Sequence, residues 1–424
     1  MGETFRALRS RNYRLFFTGQ IVSLIGTWME SLAMSWLVYR LTGSAVLLGT
    51  VAFSSQIPMF CVTPFAGVVT DRIDHRRLLI ATQTVAMILA GILAVLTITG
   101  TIHVWHIIVL SVLVGINGAF DTPARQAFVP ALVERREDLG NAIALNSTMF
   151  NIARLIGPAV AGVTISLVGE GGCFAINTLS FVFVIWALAK MDTPAHRAPA
   201  EKKNPLRDLR EGAAYAWSLH PIRVLLGLIA LASLASGAYS VLLPVYAADV
   251  YHGGKAHGPQ ILGLMFGSVG VGALVSATML ARRASVVGLG KWIVISSSCF
   301  GLGLILFGLA RSEWLGIPLL ALVGFGAMLH MGSTNTLLQT FVEDRMRGRV
   351  MAFYVMAFIG TMPIGSLVSG AASHAFGPTV VLLVAGLITL LGSYGFYRSL
   401  PEFRRVLRPI YEDKGILPSQ ASAQ

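Results

Sequence analysis

The chain has 424 residues, 55% of them hydrophobic and only 12% charged, about half the charged share of an ordinary soluble domain. With a mean hydropathy of +0.71, most of it must lie against lipid or other apolar helices, which excludes a solvent-exposed globular protein. The formal net charge of +12 is confined to short clusters between apolar runs, a pattern of membrane orientation rather than of nucleic-acid binding.

A bilayer-crossing helix needs roughly 20 apolar residues. In chain order the apolar runs predict twelve such spans, at 14–39, 46–70, 77–99, 103–130, 139–168, 172–190, 222–250, 258–281, 290–310, 314–341, 349–375 and 378–397. The expected fold is an all-α membrane protein with two pseudo-symmetric six-helix bundles, 1–190 and 222–397. Residues 191–221 form a cytoplasmic linker with Pro194, Pro199 and Pro205 and alternating charge, and 398–424 a basic tail. Within the linker, Leu206, Leu209, Ala213, Ala216 and Trp217 recur at helical spacing, predicting an amphipathic surface helix.

Cations crowd alternate connections and both tails: Arg6 to Arg14, Arg72 to Arg77, Arg135 and Arg136, Arg282 to Lys291, Arg345 to Arg349, and Arg398 to Arg408. The opposite connections offer Arg40, Lys255 and Arg311. This asymmetry predicts a multi-pass membrane protein with both termini in the cytoplasm. Trp105 and Trp314 open the fourth and tenth spans on the outer side, where aromatic belts anchor helices at headgroup level. Cys61, Cys173 and Cys299 lie inside apolar runs without metal-ligand spacing and read as small core residues. No metal or cofactor is expected, and the first apolar run is too long for a cleavable signal peptide.

The halves are related. A shift of 208 positions lays Gly118-Ala119 on Gly326-Ala327, Gly140 on Gly348, Ala144 on Ala352, Phe150 on Phe358, Gly157 on Gly365 and Gly162 on Gly370, without a gap. Parallel six-helix halves of this kind, with a site at their interface, are the arrangement in which one half rocks against the other.

Ionisable groups inside spans cost about 2.5–3.5 kcal/mol on insertion scales, so each needs a reason. Glu30 follows Gln20, Ser23 and Thr27 at 3–4–3 spacing, one polar stripe expected to line a water-filled cavity. Glu30 is a candidate to exchange a proton or bind a cationic substrate, and alternatively a structural partner of Arg154. Arg154, with Ser147 and Asn151 on its face, either pairs with Glu30 or binds an anionic substrate. His330, with Thr334 at i+4, either contacts substrate or protons or is simply hydrogen-bonded. Asp121 and Arg125 stand at i, i+4 after Asn117, as a gate at the cytoplasmic end of the fourth span.

Between the second and third spans lies Gly67-x-x-x-Asp71-Arg72-x-x-x-Arg76-Arg77, a charged knot on a very short loop that suits a hinge or latch. With twelve spans, two related halves and a basic linker, this loop resembles the signature of the major facilitator superfamily, with Asp74-His75 where a glycine usually follows the first arginine. The segment Pro123 to Pro130, Trp28-Met29 with Trp36 to Val38, and Arg347 to Arg349 resemble the enterobactin-exporter-like branch of bacterial proton-coupled exporters. A second motif resembles the fifth-helix signature of proton-antiport exporters, read here as Ala144, Ala153, Gly157-Pro158 and Ala161-Gly162, with Gly263, Gly267 and Gly270 as a matching surface. The resemblance implies that this contact seals the bundle against leak, and that Asp121 latches onto the loop arginines in the outward-open state.

The function expected is secondary active export of an amphipathic small organic molecule, siderophore- or drug-like, by proton antiport with rocker-switch alternating access. The partners expected are that small molecule, protons and the bilayer, with a monomer as the working unit and no nucleic acid. No Gly-x4-Gly-Lys-Ser/Thr phosphate cradle is present, so ATP is not the expected energy source. An importer or flippase of a lipid or small metabolite is the alternative on the same fold. A membrane-embedded lipid enzyme would need clustered ligands or an activated nucleophile, and the scattered charges supply neither.

Overall fold

The computed structural model describes residues 3–70, 72–192, 205–283, 285–414 and 416. Among these the chain is helical throughout and forms no strand. The helices are α1 (Arg11–Thr42), α2 (Ala45–Thr70), α3 (His75–Ile98), α4 (Val104–Phe128), α5 (Leu139–Lys190), α6 (Pro205–Ser218), α7 (His220–Val245), α8 (Gly254–Ala281), α9 (Leu289–Leu309), α10 (Glu313–Phe341), α11 (Asp344–Ile359), α12 (Met362–Phe376) and α13 (Pro378–Asp413).

Eleven helical stretches among the described residues are long and apolar enough to cross a membrane. One of them, α5, has 52 residues. At 1.5 Å per residue it would extend about 78 Å, more than twice the roughly 30 Å hydrocarbon core. It is two spans. Gly169 sits at φ 73°, ψ 177°, and beyond it Cys173 Sγ comes within 3.9 Å of the Ala161 carbonyl. In a straight helix those residues would stand about 18 Å apart. The arms 139–168 and 170–190 therefore fold against each other, and the predicted twelve spans are present.

The eleventh predicted span is broken at Gly360 and Thr361, between α11 and α12. Pro363, in the first turn of α12, has no N–H to carry the ladder through. α7 covers the break. Ser233 Oγ donates to the Phe358 carbonyl, and Thr361 Oγ1 donates to the Ala230 carbonyl at 3.2 Å. Irregular backbone persists at membrane depth where such partners exist.

The chain resolves into two compact units, Met1–Glu201 with Val241–Gly270, and Lys202–Ser240 with Val271–Gln424. The first has a core around Tyr13, Phe16, Leu79, Phe128 and Phe181. Its N-terminal turn is fixed by Ser10 Oγ donating to the Leu132 carbonyl at 2.6 Å and Tyr13 Oη donating to the Ala142 carbonyl at 2.8 Å. The second unit's core gathers Ile222, Ile293, Leu338, Val350 and Phe403. The internal repeat is visible in packing. Gly157 lies against α1, where a Cβ would stand 3.0 Å from the Ile25 carbonyl oxygen. Its mate Gly365 lies against the equivalent α7, where a Cβ would stand 2.8 Å from the Leu234 Cα.

The linker helix α6 belongs to the second unit, and of the expected stripe Ala216 is buried in that unit's core. Leu206 and Leu209 fall among side chains outside the described set, and Ala213 and Trp217 are exposed. The docked face is Gly212, Tyr215 and Ala216. Gly212 admits the Arg349 side chain and the Phe353 ring, and Glu211 pairs with Arg349 at 2.5 Å. Close approach at Gly212 turns this face to α11 and leaves Trp217 exposed. Trp105 and Trp314 are 61% and 84% exposed, as headgroup anchors require. Of the cysteines only Cys173 is buried, while Cys61 is exposed and Cys299 intermediate, because their helix faces turn away from the protein core.

Candidate functional site

The polar stripe of α1 is divided by its neighbours. Gln20 and Ser23 are buried in the first unit. Thr27 is exposed and donates within its own helix to the Ser23 carbonyl at 2.9 Å. Four residues of one stripe thus meet two environments, because the second arm of α5 covers the N-terminal half of α1, with Ala187 and Val184 against Gly19. Glu30 is half-buried and pairs with Asn177, whose Nδ2 donates to the Glu30 carboxylate. Ser180 Oγ continues the network, donating to the Asn177 carbonyl at 2.7 Å and its Oδ1 at 3.0 Å. Gly26 makes room for it, since a Cβ there would stand 2.7 Å from Ser180 Oγ. Arg154 is elsewhere, over the Trp28 ring at 6.0 Å from its centroid, a cation–π position. The pairing of Glu30 with Arg154 does not form: an amide from the sixth span reaches the carboxylate, and an aromatic face takes the guanidinium. Asn151, beside Arg154, donates to the Ser147 carbonyl of its own helix at 2.8 Å.

Asp121 is buried between α3 and α4. Thr82 Oγ1 donates to its Oδ1 at 2.9 Å and Gln83 Nε2 at 2.7 Å, while Arg125 pairs with Oδ2. Asn117 Nδ2 donates to the Thr82 carbonyl at 3.1 Å. The carboxylate is therefore fully engaged within its own bundle, not with Arg72, Arg76 or Arg77. Thr82 stands seven residues into α3, roughly 10 Å from the loop. The loop residues have their own work. Asp74 caps α3 by accepting from the Arg77 N–H at 2.9 Å. Arg76 reaches the end of α5, donating to the Leu188 and Ala189 carbonyls at 2.7 and 2.6 Å, where cations complement the helix dipole. Arg72 is exposed and Gly67 half-buried; Asp71 lies outside the described residues.

In the second unit, α10 carries a set of buried polar groups without partners. His330 and Thr334, with Ser333 between them, are 0–1% exposed. Both His330 ring nitrogens, Ser333 Oγ and Thr334 Oγ1 lack a hydrogen bond of normal geometry, although the ring lies beside the Leu228 backbone. Each orphaned group costs about 1–3 kcal/mol, so these four atoms within about one turn of α10 mark a place for bound water or a transported species. His330→Leu separates these roles. With shape kept and polarity removed, stability should stay within about 1 kcal/mol of wild type, and a drop in transport rate then marks the histidine as functional. Detergent-solution unfolding alongside vesicle transport measures both.

The small residues of α5 pack as a seam within the first unit. Ala153, Ala161, Gly157 and Pro158 are buried, and Ala144 is exposed. A Cβ on Gly162 would stand 2.8 Å from the Pro259 carbonyl and 3.3 Å from the Gly263 Cα, and one on Gly270 would meet Leu155 at 2.9 Å. Gly267 has open space instead, so the matching surface on α8 is Gly263 and Gly270. Packing at small residues drives helix association in lipid, where burial of apolar surface gives little. Gly162→Leu should lower folded yield sharply and cost about 1–3 kcal/mol, as overpacking does, whereas Gly267→Leu should be tolerated; monodispersity in size-exclusion chromatography reports both.

The sequence pattern of the transmembrane secretion effector family matches residues 2–409. The chain belongs to that family. The staphyloferrin A transporter of Staphylococcus aureus is 26% identical over 388 residues, covering 91% of this chain and 95% of that protein. Macrolide efflux protein A of Streptococcus pyogenes is 24% identical over 392 residues, covering 89% and 94%. Among solved structures, the nucleoside transporter NupG superposes with a TM-score of 0.70 at 15% identity, covering 93% of this chain and 99% of that one. The protein is thus a multi-pass membrane transporter of the major facilitator fold, not an enzyme.

Two features of this family member have no periodic signal in the sequence. Arg40 forms a fork with Glu170, Nε to Oε1 at 2.5 Å and Nη2 to Oε2 at 3.3 Å. Tyr39 Oη donates to Asp249 Oδ2 at 2.5 Å, so Asp249 is exposed but not simply solvated. Nearby, a Cβ on Gly258 would strike the Trp36 ring. These contacts tie the Arg40 end of α1 to the turn of α5 and to the segment around α8's first turn. The partners lie 130 and 210 positions apart, so only charge and a glycine-rich turn at 169–172 hinted at them.

Proposed function

We propose that this transporter is a secondary active exporter that moves an amphipathic small organic molecule, siderophore- or drug-like, outward in exchange for protons. The two six-helix blocks, 1–190 and 222–397 joined by the linker 191–221, alternate access by rocking, with both termini on the cytoplasmic side of the plasma membrane. The observation that carries the coupling reading is the partner of Glu30. A carboxylate in mid-span is held by the neutral amide of Asn177 rather than by a cation. It can gain and lose a proton without first breaking an ion pair, which a carboxylate locked to arginine cannot do at comparable cost.

Export as the direction is supported by the kind of relatives found, among them a macrolide efflux protein, and by the α5–α8 glycine seam. Asp121, Arg125 and the 67–77 loop are the gating elements in this reading, with Asp121 exchanging its α3 partners for loop arginines when the gate changes state. Inverted vesicles with an imposed pH gradient test the proposal. Uptake of a lipophilic cationic dye and of iron-free staphyloferrin A is expected to follow the gradient and to stop when it is collapsed. Gradient-independent uptake, or movement only in the opposite orientation, would overturn it.

A further inference from the structure

Two grooves lie side by side in the second unit, where α9 begins and α13 leaves its apolar stretch. The first, about 560 Å³, runs between the turn at Val286–Lys291 and the α13 face of Phe403, Leu407 and Tyr411. The second, about 520 Å³, opens between Val294 and Ile295 of α9 and Tyr397 and Pro401 of α13. They share Lys291, Leu400 and Arg404.

Helix length fixes the depth of these grooves. Pro378 to Tyr397 is the apolar part of α13, about 30 Å at 1.5 Å per residue, which is the hydrocarbon thickness. The helix then continues to Asp413 with Arg398, Arg404, Arg405 and Arg408. Lys291 stands in the first turn of α9, and no further charged residue follows it before the helix ends at Leu309. Lys291 and Arg404 therefore lie at headgroup level, on the side that carries the basic loops. The second groove extends from them toward the hydrocarbon, with Ile295 and Tyr397 54% and 57% exposed on its walls.

The charges at the junction are unbalanced. Among the described residues neither Lys291 nor Arg404 has an ion-pair or hydrogen-bond partner for its side-chain charge, and both are exposed. Arg398 contacts only the Tyr394 hydroxyl, at 3.3 Å. The acidic neighbours do not neutralise them: Glu412 pairs with Arg408 at 3.0 Å, and Glu402 stands exposed with His220 at 3.9 Å. A cationic rim above an apolar, lipid-facing wall is complementary to a molecule with an anionic head and a hydrocarbon tail, and basic pockets between spans on this side bind such headgroups.

We propose that this junction binds one anionic phospholipid of the surrounding leaflet. Its phosphate sits between Lys291 and Arg404, and an acyl chain follows Val294, Ile295 and Tyr397. The site is separate from Glu30, Asp121 and His330, and it rests only on the membrane placement of α9 and α13.

Native mass spectrometry of the delipidated full-length transporter, titrated with phosphatidylglycerol or phosphatidylcholine, tests it, with Tm measured in parallel. Phosphatidylglycerol is expected to give a saturable one-to-one adduct and to raise Tm, and phosphatidylcholine to do neither at the same concentration. Lys291→Ala with Arg404→Ala should weaken the phosphatidylglycerol adduct about thirtyfold, the effect of two surface cations. Arg405→Ala, a cation outside both grooves, should leave it unchanged and controls for folding and for general surface charge. Equal binding of the two lipids, an equal loss with Arg405→Ala, or the same stabilisation by inorganic phosphate alone would each overturn the assignment.

Discussion

Glu30→Gln is expected to flatten the pH dependence of transport while leaving the protein folded. The glutamine oxygen can still accept from Asn177 Nδ2, so the contact between α1 and the second arm of α5 survives. What is lost is the exchangeable proton. Proton-driven export should fall about ten- to a hundredfold, the range of a site–site coupling free energy of about 1.5–3 kcal/mol, whereas counterflow without a gradient should persist. Asn177→Leu is the informative companion. It removes the Asn177 donor from the carboxylate, so the pH profile of transport should depart from that of wild type while the carboxylate itself is kept. Measuring initial rates in proteoliposomes across pH for both variants checks this. A Glu30→Gln profile parallel to wild type would move the coupling group elsewhere.

Asp121→Ala is expected to give the largest loss of stability from a single side chain in the first unit. The substitution strands the Arg125 guanidinium together with Gln83 Nε2, which point at this carboxylate, and leaves Thr82 Oγ1 with only the Leu79 carbonyl. Leaving one member of a buried pair uncompensated costs about 3–5 kcal/mol. Asp121→Ala with Arg125→Leu should recover most of that, because replacing both members of such a pair with apolar groups is close to neutral. Unfolding in mixed micelles by SDS titration measures the two free energies. Equal stability of the single and double variants would mean that Arg125 is solvated rather than held. Transport separates a further role: if the double variant is stable yet inactive, the pair acts in the gate rather than in the fold.

Much of the fold was legible because lipid imposes so few choices. Backbone groups without water must bond within their own helix, so twenty apolar residues in a row are enough to name a span. The exceptions are instructive. The fifth and sixth spans follow each other without a loop, since Gly169 at φ 73° turns the chain back between them. The eleventh span breaks at Gly360, where Pro363 removes a donor and the Ser233 hydroxyl from α7 is at hand. The Gly-Pro pair of α5 announced a packing seam because only small residues allow backbones to touch.

The candidate site was legible residue by residue but not as pairs. Glu30, Arg154 and Asp121 stood out because a charge inside a span is costly. Opposite charge offered Arg154 as a partner for Glu30, yet charge says nothing about rotation around the helix axis. The residue that reached Glu30 was Asn177, an uncharged side chain in an apolar run with no reason to be noticed. The same holds for α6, where the glycine face and not the tryptophan face is docked.

The sequence by itself determined the number of spans, their order, the kinship of the halves and which positions carry a charge that demands a partner, because these follow from local composition and from the energy of transfer into lipid. Only the tertiary structure decided which partner answers each charge: Asn177 for Glu30, Thr82, Gln83 and Arg125 for Asp121, Glu170 for Arg40. Side-chain pairing depends on helix rotation and crossing, quantities fixed by contacts between residues far apart in the chain.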